Sequence, residues 1–261
     1  MSDRIDGIAY EVAGEGPALL LIHAGIADRR MWDPIWERLT GRFTAIRYDQ
    51  RGFGESDDPT ATWWLHEDAA AVLGAAGVDR AIVLGASMGG SVALDLAIDR
   101  AELVERLATV GSTPDGFDHD PALLARFEEV DSLVDAGDID TANELELQIW
   151  MDGTRAPGAA EPAARALISE TNRALLERQP DLPEPRDLEP PSLFQLGRLT
   201  APLLVAAGEY DQPSTRRGSE LIADRTGSRF VEIPGAAHLP SLERPDAFLD
   251  AVLPFLGGQI A

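Results

Sequence analysis

The sequence predicts an α/β fold, a mostly parallel β-sheet flanked by helices and interrupted by a helical insertion. Three observations carry this. Short apolar runs such as ALLLI (18–22) and AIVLG (81–85) are continuous rather than alternating, as expected of strands covered on both faces. Helical patterns alternate with these runs, the rhythm of parallel strands joined by crossover helices. Between about Pro114 and Leu196 the strand pattern stops, and it resumes with APLLVAAG (201–208). Residues 1–113 and 197–261 are therefore expected to form the core, with 114–196 as a helical cap insertion.

The elements follow in order. GIAYEVAG (7–14) alternates enough for a strand and ALLLIH (18–23) is the first buried one. RMWDPIWERLTG (30–41) reads as a helix stopped by Gly41. FTAIRYD (43–49) is the next strand, running into the glycine-rich loop QRGFGES. HEDAAAVLGAAG (66–77) is helical, AIVLG a strand, SMGGSVALDLAIDR (87–100) a helix and VERLATVG (104–111) a strand. Within the insertion, FEEVDSLVDAGD, TANELELQIWMDG and AARALISETNRALLERQ look helical, and PDLPEPRDLEPP (180–191) is an irregular linker. A helix around 214–226, the strand SRFVEIPG (228–235) and the closing helix PDAFLDAVLPFL (245–256) complete the chain.

Composition removes several kinds of chemistry. There are 45 acidic and 22 basic residues, a formal charge of −23, so the surface repels phosphate backbones and nucleic-acid binding is not expected. No cysteine is present, which excludes disulfides, a thiol nucleophile and thiolate metal sites. Every basic side chain is arginine, which excludes a P-loop lysine, a Schiff base and a lysine general base. No HExxH or histidine cluster suggests a metal, and no dinucleotide fingerprint is present, so no cofactor is expected. MSDRIDGIAY lacks a hydrophobic signal core, and no apolar run is long enough to span a bilayer. A cytoplasmic protein without membrane contact is the expectation.

The most informative stretch is VLGASMGGSVALDLA (83–97). Gly85-Ala-Ser87-Met-Gly89 ends a strand and opens a helix, which is the setting a G-x-S-x-G nucleophile elbow requires. An N-cap serine would suit Ser87 but leaves the two glycines without a purpose. A serine needs a base, and the chain has four histidines. His23 ends a strand, His66 opens a helix, and His119 lies in the insertion. His238 sits in the loop IPGAAHLPSLERP after the last strand, which makes it the preferred base. The base needs an orienting carboxylate. Asp211 lies in GEYDQPS just beyond a strand end, with Glu209 and Asp115 as rivals.

The runs LLLIHAG, RYDQRGFGES, GASMGG, GEYD and GAAHLPSLERP together resemble the α/β-hydrolase superfamily, over nearly the full length. The order serine, acid, histidine agrees with it. MWDPIWERL and DQRGFGESD are similar to the enol-lactonase-like and small carboxylesterase branches. The resemblance implies a catalytic triad of Ser87, His238 and Asp211. It also implies an oxyanion hole from the Met88 N–H and that of Gly25, with Ile26 the alternative because Ala24 replaces a customary glycine. His23 is then structural, and Asp49, Arg51, Gly52 and Gly54 shape a turn.

The implied activity is hydrolysis of a small to medium, largely apolar carboxylic ester or lactone through an acyl-enzyme. Carbon–carbon bond hydrolases, thioesterases and perhydrolases use the same triad, and a low-turnover ligand-binding or cyclase member of the fold is the reading from another class. Serine at 87 argues against dehalogenases and epoxide hydrolases, which carry aspartate there. Trp150 and Met151 in LQIWMDG are the first candidates for a pocket wall, with Ile26, Trp32 and Leu239 bordering it. The expected partner is a small-molecule substrate, and the cap helices offer a surface for a homodimer.

Overall fold

In a computed structural model describing residues 3–178 and 183–258, eight strands join in one sheet. They are β1 (Asp3–Ile5), β2 (Ile8–Ala13), β3 (Ala18–Ile22), β4 (Thr44–Tyr48), β5 (Ala81–Ala86), β6 (Val104–Val110), β7 (Leu203–Gly208) and β8 (Arg229–Ile233). Their order across the sheet is β1-β2-β4-β3-β5-β6-β7-β8. The first two pairings, β1 with β2 and β2 with β4, are antiparallel, and all the others are parallel.

Successive side chains on a strand point to opposite faces, and here both faces are covered. Leu19, Leu21, Ile82 and Leu84 enter one core, which α1 (Asp33–Thr40) and α9 (Pro245–Leu256) close. Leu20, Ile22, Ile46 and Val83 enter the other, under α2 (Leu65–Ala75), α3 (Met88–Asp99) and α7 (Pro213–Thr226). This double burial is why the strands read as unbroken apolar runs.

Between β6 and β7 the chain leaves the sheet for α4 (Pro121–Asp135), α5 (Ile139–Leu147) and α6 (Pro162–Leu176). These helices pack on a small core of their own around Leu123, Val130, Ala142, Ile149 and Leu176. A short α8 (Pro240–Glu243) precedes α9. Among the described residues no helix is long and apolar enough to cross a membrane.

Four local features depart from the sequence reading. The helix expected over 30–41 is split: Arg29–Trp32 is a 3-10 turn capped by the Asp28 side chain, and α1 starts at Asp33 with Pro34 in its first turn. The segment Gln148–Asp152 continues α5 as one π-helical turn. Strand β1 and helix α8 were too short to carry a period. Of the proline-rich stretch 180–191, residues 180–182 lie outside the described residues. From 183 to 191 no helix or strand forms, as its four prolines require.

Candidate active site

β5 ends at Ala86, and the next residue turns the chain into α3. Ser87 holds φ +53° and ψ −123°, a conformation rarely open to a residue with a Cβ. Its side chain makes no capping hydrogen bond to α3, so the N-cap explanation fails. The strained turn is locked by the Ser87 N–H, which donates to the Val110 carbonyl at 2.8 Å, and by the Ser87 carbonyl, which accepts from Gly90.

The glycines now have a physical purpose. A Cβ on Gly85 would collide with the Gly89 carbonyl, and one on Gly89 with the carbonyls of Ile22 and His23. The elbow therefore packs backbone on backbone, with no room for a side chain. Gly85→Ala is expected to destabilise the protein by about 3 kcal/mol, lowering Tm by about 6–12 °C in thermal denaturation.

His238 approaches Ser87 from the loop after β8. Its Nε2 lies 2.7 Å from the Ser87 Oγ. Its Nδ1 lies 2.9 and 3.0 Å from the two carboxylate oxygens of Asp211, which follows β7. Asp211 and His238 are almost fully buried. The Nδ1–H donates to Asp211, which leaves the Nε2 lone pair facing the serine hydroxyl. Serine, imidazole and carboxylate thus stand in one hydrogen-bonded line, the geometry a serine nucleophile with its base and orienter requires.

The imidazole is held from several sides. The His238 N–H donates to the Trp150 carbonyl at 3.2 Å, and the Trp150 ring lies 4.4 Å from the imidazole, centroid to centroid. The loop closes onto β7 because Gly208 has no Cβ; one there would strike the Ala237 carbonyl. Glu243 accepts from the Ala237 N–H at 3.0 Å and pairs with Arg155, which tethers the loop to the helical segment. Burial still pushes the Glu243 carboxyl above its ordinary range, against the pull of Arg155.

The rival groups are engaged elsewhere. Glu209 accepts from the Gly235 N–H at 2.9 Å. Asp115 lies against Asp95, with its N–H on the Ser192 hydroxyl. His23 accepts from the Gln50 N–H at 2.9 Å and is kept neutral by burial, so it braces the loop after β4. His66 faces Asp99, and His119 contacts the Ser214 hydroxyl. In the glycine-rich loop Asp49 pairs with Arg29 and accepts from the Glu55 N–H, while Arg51 pairs with Asp68 at 2.9 Å.

Ser87 and His238 sit where two cavities meet. One, of about 420 Å³, is walled mainly by Trp63, Leu65, Phe127, Trp150 and Leu175, with Gly25 and Ile26 at its base. The other, of about 320 Å³, is walled by polar groups on α3, in the segment after β6 and on α7. Met88 and Trp150 border both. Helices α4, α5 and α6 thus contribute wall to the site.

Three of the expected pocket residues are corrected. Met151, Leu239 and Trp32 are fully buried in the main core and line neither cavity. Trp150 and Met151 are neighbours on a helical turn, so about 100° of rotation separates them and only one faces the site. Leu239 and Trp32 point into the layer between the sheet and α9. Trp63, Phe127, Glu146 and Asn172 were missed. Phe127, Glu146 and Asn172 sit on inserted helices whose facing depends on how those helices pack, and Trp63 lies in the loop before α2; no local spacing signals either placement.

Comparison with known proteins places the fold. A model of the alpha/beta hydrolase family matches residues 19–251. The chain is 30% identical to a pimeloyl-[acyl-carrier protein] methyl ester esterase of Pectobacterium carotovorum, over 94% of this chain and 97% of that one. It is similar to the crystal structure of a hydrolase from Pseudomonas aeruginosa, with a TM-score of 0.77 and 32% identity, covering 96% and 94% of the two chains. The enol-lactonase of Burkholderia xenovorans shares the fold, with a TM-score of 0.80 at 23% identity, covering 98% and 100%. With the family model spanning most of its length, and a strand–serine–helix elbow at the centre of its sheet, this chain belongs to the alpha/beta hydrolase family.

Proposed function

We propose that the protein is a serine esterase or lactonase acting on a small to medium, largely apolar carboxylic ester. The carrying observation is the line Ser87 Oγ, His238 Nε2, His238 Nδ1, Asp211 at hydrogen-bond distances, at the junction of two cavities. His238 takes the Ser87 proton as the oxygen attacks the carbonyl carbon. Asp211 holds the tautomer and stabilises the imidazolium. The N–H groups of Met88 and Gly25, with Ile26 beside it, would carry the oxyanion, helped by the positive end of α3. The imidazolium returns its proton to the departing alcohol oxygen. Water then enters, loses a proton to His238 and releases the acid from Ser87.

Residues 114–196 act as the cap in this reading. Its aromatic wall of Trp150 and Phe127, their rings stacked 5.6 Å apart, favours hydrocarbon next to the scissile carbonyl. The similarity to esterases supports the reaction type and leaves the substrate to the pocket. The test is a p-nitrophenyl ester panel from acetate to decanoate. Turnover is expected to peak between butanoate and octanoate, the range that fills the apolar cavity without crossing to its far wall. A flat profile, or an optimum at acetate, would show that this cavity does not take the acyl chain.

A further inference from the structure

The loops that carry Asp211 and His238 are both tied to the inserted segment, at its π-helical turn Gln148–Asp152. Such turns are frequent at functional sites. The turn ends at Gly153, with φ +64°, where a Cβ would strike the Tyr210 carbonyl. On the acid side, the Thr154 N–H donates to the Tyr210 carbonyl at 2.9 Å. The Gln212 side-chain amide donates to the Ile149 carbonyl at 2.7 Å. Tyr210 and Gln212 are the two neighbours of Asp211.

The base side is held by charge. Glu243, at the end of α8, accepts from the Ala237 N–H at 3.0 Å and from the Leu239 N–H. These are the residues on either side of His238. The second Glu243 oxygen lies 2.5 Å from the Arg155 Nη2. The same guanidinium donates to the carbonyls of Met151 at 2.5 Å, Asp152 at 3.0 Å and Gly235 at 3.3 Å. Met151 and Asp152 belong to the π-helical turn, and Gly235 begins the histidine loop. Arg155 therefore grips both segments at once.

Stability alone gives little reason for this pair. The Glu243 side chain is fully buried and that of Arg155 is 13% exposed. Taking both charges out of water is costly, and apolar side chains of similar volume often do as well or better. What the pair supplies is geometry. A planar fork of five donors holds several acceptors at fixed angles, and an apolar contact cannot. Neither side chain lines either cavity, so neither meets the substrate.

We propose that Arg155 and Glu243 are positioning residues, a clasp through which the inserted segment holds the His238 imidazole in line with Ser87 and Asp211. This rests on the esterase reading of Ser87. Loss of the clasp should reach turnover and leave substrate binding alone.

Glu243→Gln and Arg155→Lys test it. Glutamine has one acceptor oxygen for the three donors that the carboxylate serves. Lysine keeps the charge but offers a point where arginine offers a fork. Each is expected to lower kcat toward p-nitrophenyl esters by about tenfold to hundredfold, up to the cost of a misplacement of about 1 Å. KM should stay within about threefold. In a His238→Ala background the same substitutions should change the residual rate by less than about threefold, because groups that act as a unit are not additive. A merely structural pair would lower both backgrounds alike. A change confined to KM, an equal loss with and without His238, or loss of the fold in Arg155→Lys overturns the proposal.

A readout without turnover separates the clasp from the esterase reading. The His238 Nδ1–H, buried against Asp211, should give a far-downfield proton resonance in the wild type. It should broaden or vanish in both variants as the imidazole loosens and the proton exchanges with water. Its absence from the wild type, or its unchanged retention in both variants, overturns the clasp whether or not the protein hydrolyses esters. A resonance lost in both variants of a protein that hydrolyses no ester would leave the clasp standing and remove the esterase assignment.

Discussion

Ser87→Ala is expected to lower kcat/KM toward p-nitrophenyl esters by about 10⁴–10⁶, the loss typical when a serine nucleophile is removed. Labelling by a fluorophosphonate probe should disappear with it. The fold should be unchanged, because alanine keeps the Cβ and with it the strained backbone at φ +53°. Ser87→Gly separates the two roles of this position. Glycine adopts positive φ at little cost, so that variant should be as inactive as Ser87→Ala. It should also be more stable by about 1–3 kcal/mol, the strain the serine stores. Steady-state kinetics, probe labelling and thermal denaturation on the three proteins decide it. Substantial activity in either variant would show that no acyl-enzyme forms on Ser87.

Asp211→Asn is expected to reduce kcat by about 10⁴ with little change in fold. The two Asp211 oxygens face the His238 Nδ1 at 2.9 and 3.0 Å, so the histidine proton is held on that nitrogen. An asparagine can turn its NH₂ group toward Nδ1, which moves the proton to Nε2 and aims an N–H at the serine hydroxyl. The base then has no lone pair where it is needed. Glu209→Gln is the matching control. Glu209 accepts from the Gly235 N–H and does not touch His238, so its loss should cost far less. Equal losses in the two variants would mean that the carboxylates support the loop rather than the tautomer.

Much of this site was legible because it is built at strand ends. A parallel sheet sends its loops to one edge, so residues after β5, β7 and β8 converge whatever their separation in sequence. Ser87, Asp211 and His238 stand at those three points, and their order along the chain matched the resemblance. Asp211 was separable from Glu209 only in three dimensions. The two lie on opposite sides of the turn after β7: Glu209 is drawn to Gly235, Asp211 to the imidazole.

The pocket wall was not legible in the same way. Trp150 and Met151 were equal candidates, and the π-helical turn decided between them by aiming one ring at His238 and the other side chain into the core. Phe127 and Glu146 come from inserted helices whose approach is set by how α4, α5 and α6 stack on one another, and Trp63 from the loop before α2. Asp95 is a plainer case. It sits on α3, and nothing in the local sequence shows that it opens into a cavity.

By itself, the sequence determined the α/β class, the strand–serine–helix elbow and the histidine and acid available to it. Those depend on short-range signals: apolar runs, glycines where the backbone must approach closely, and turn residues at strand ends. Only the tertiary structure decided which carboxylate meets the histidine and which aromatic rings line the cavity beside Ser87. Those depend on packing between segments far apart in the chain, where a rotation of one helical residue changes a pocket wall into a core.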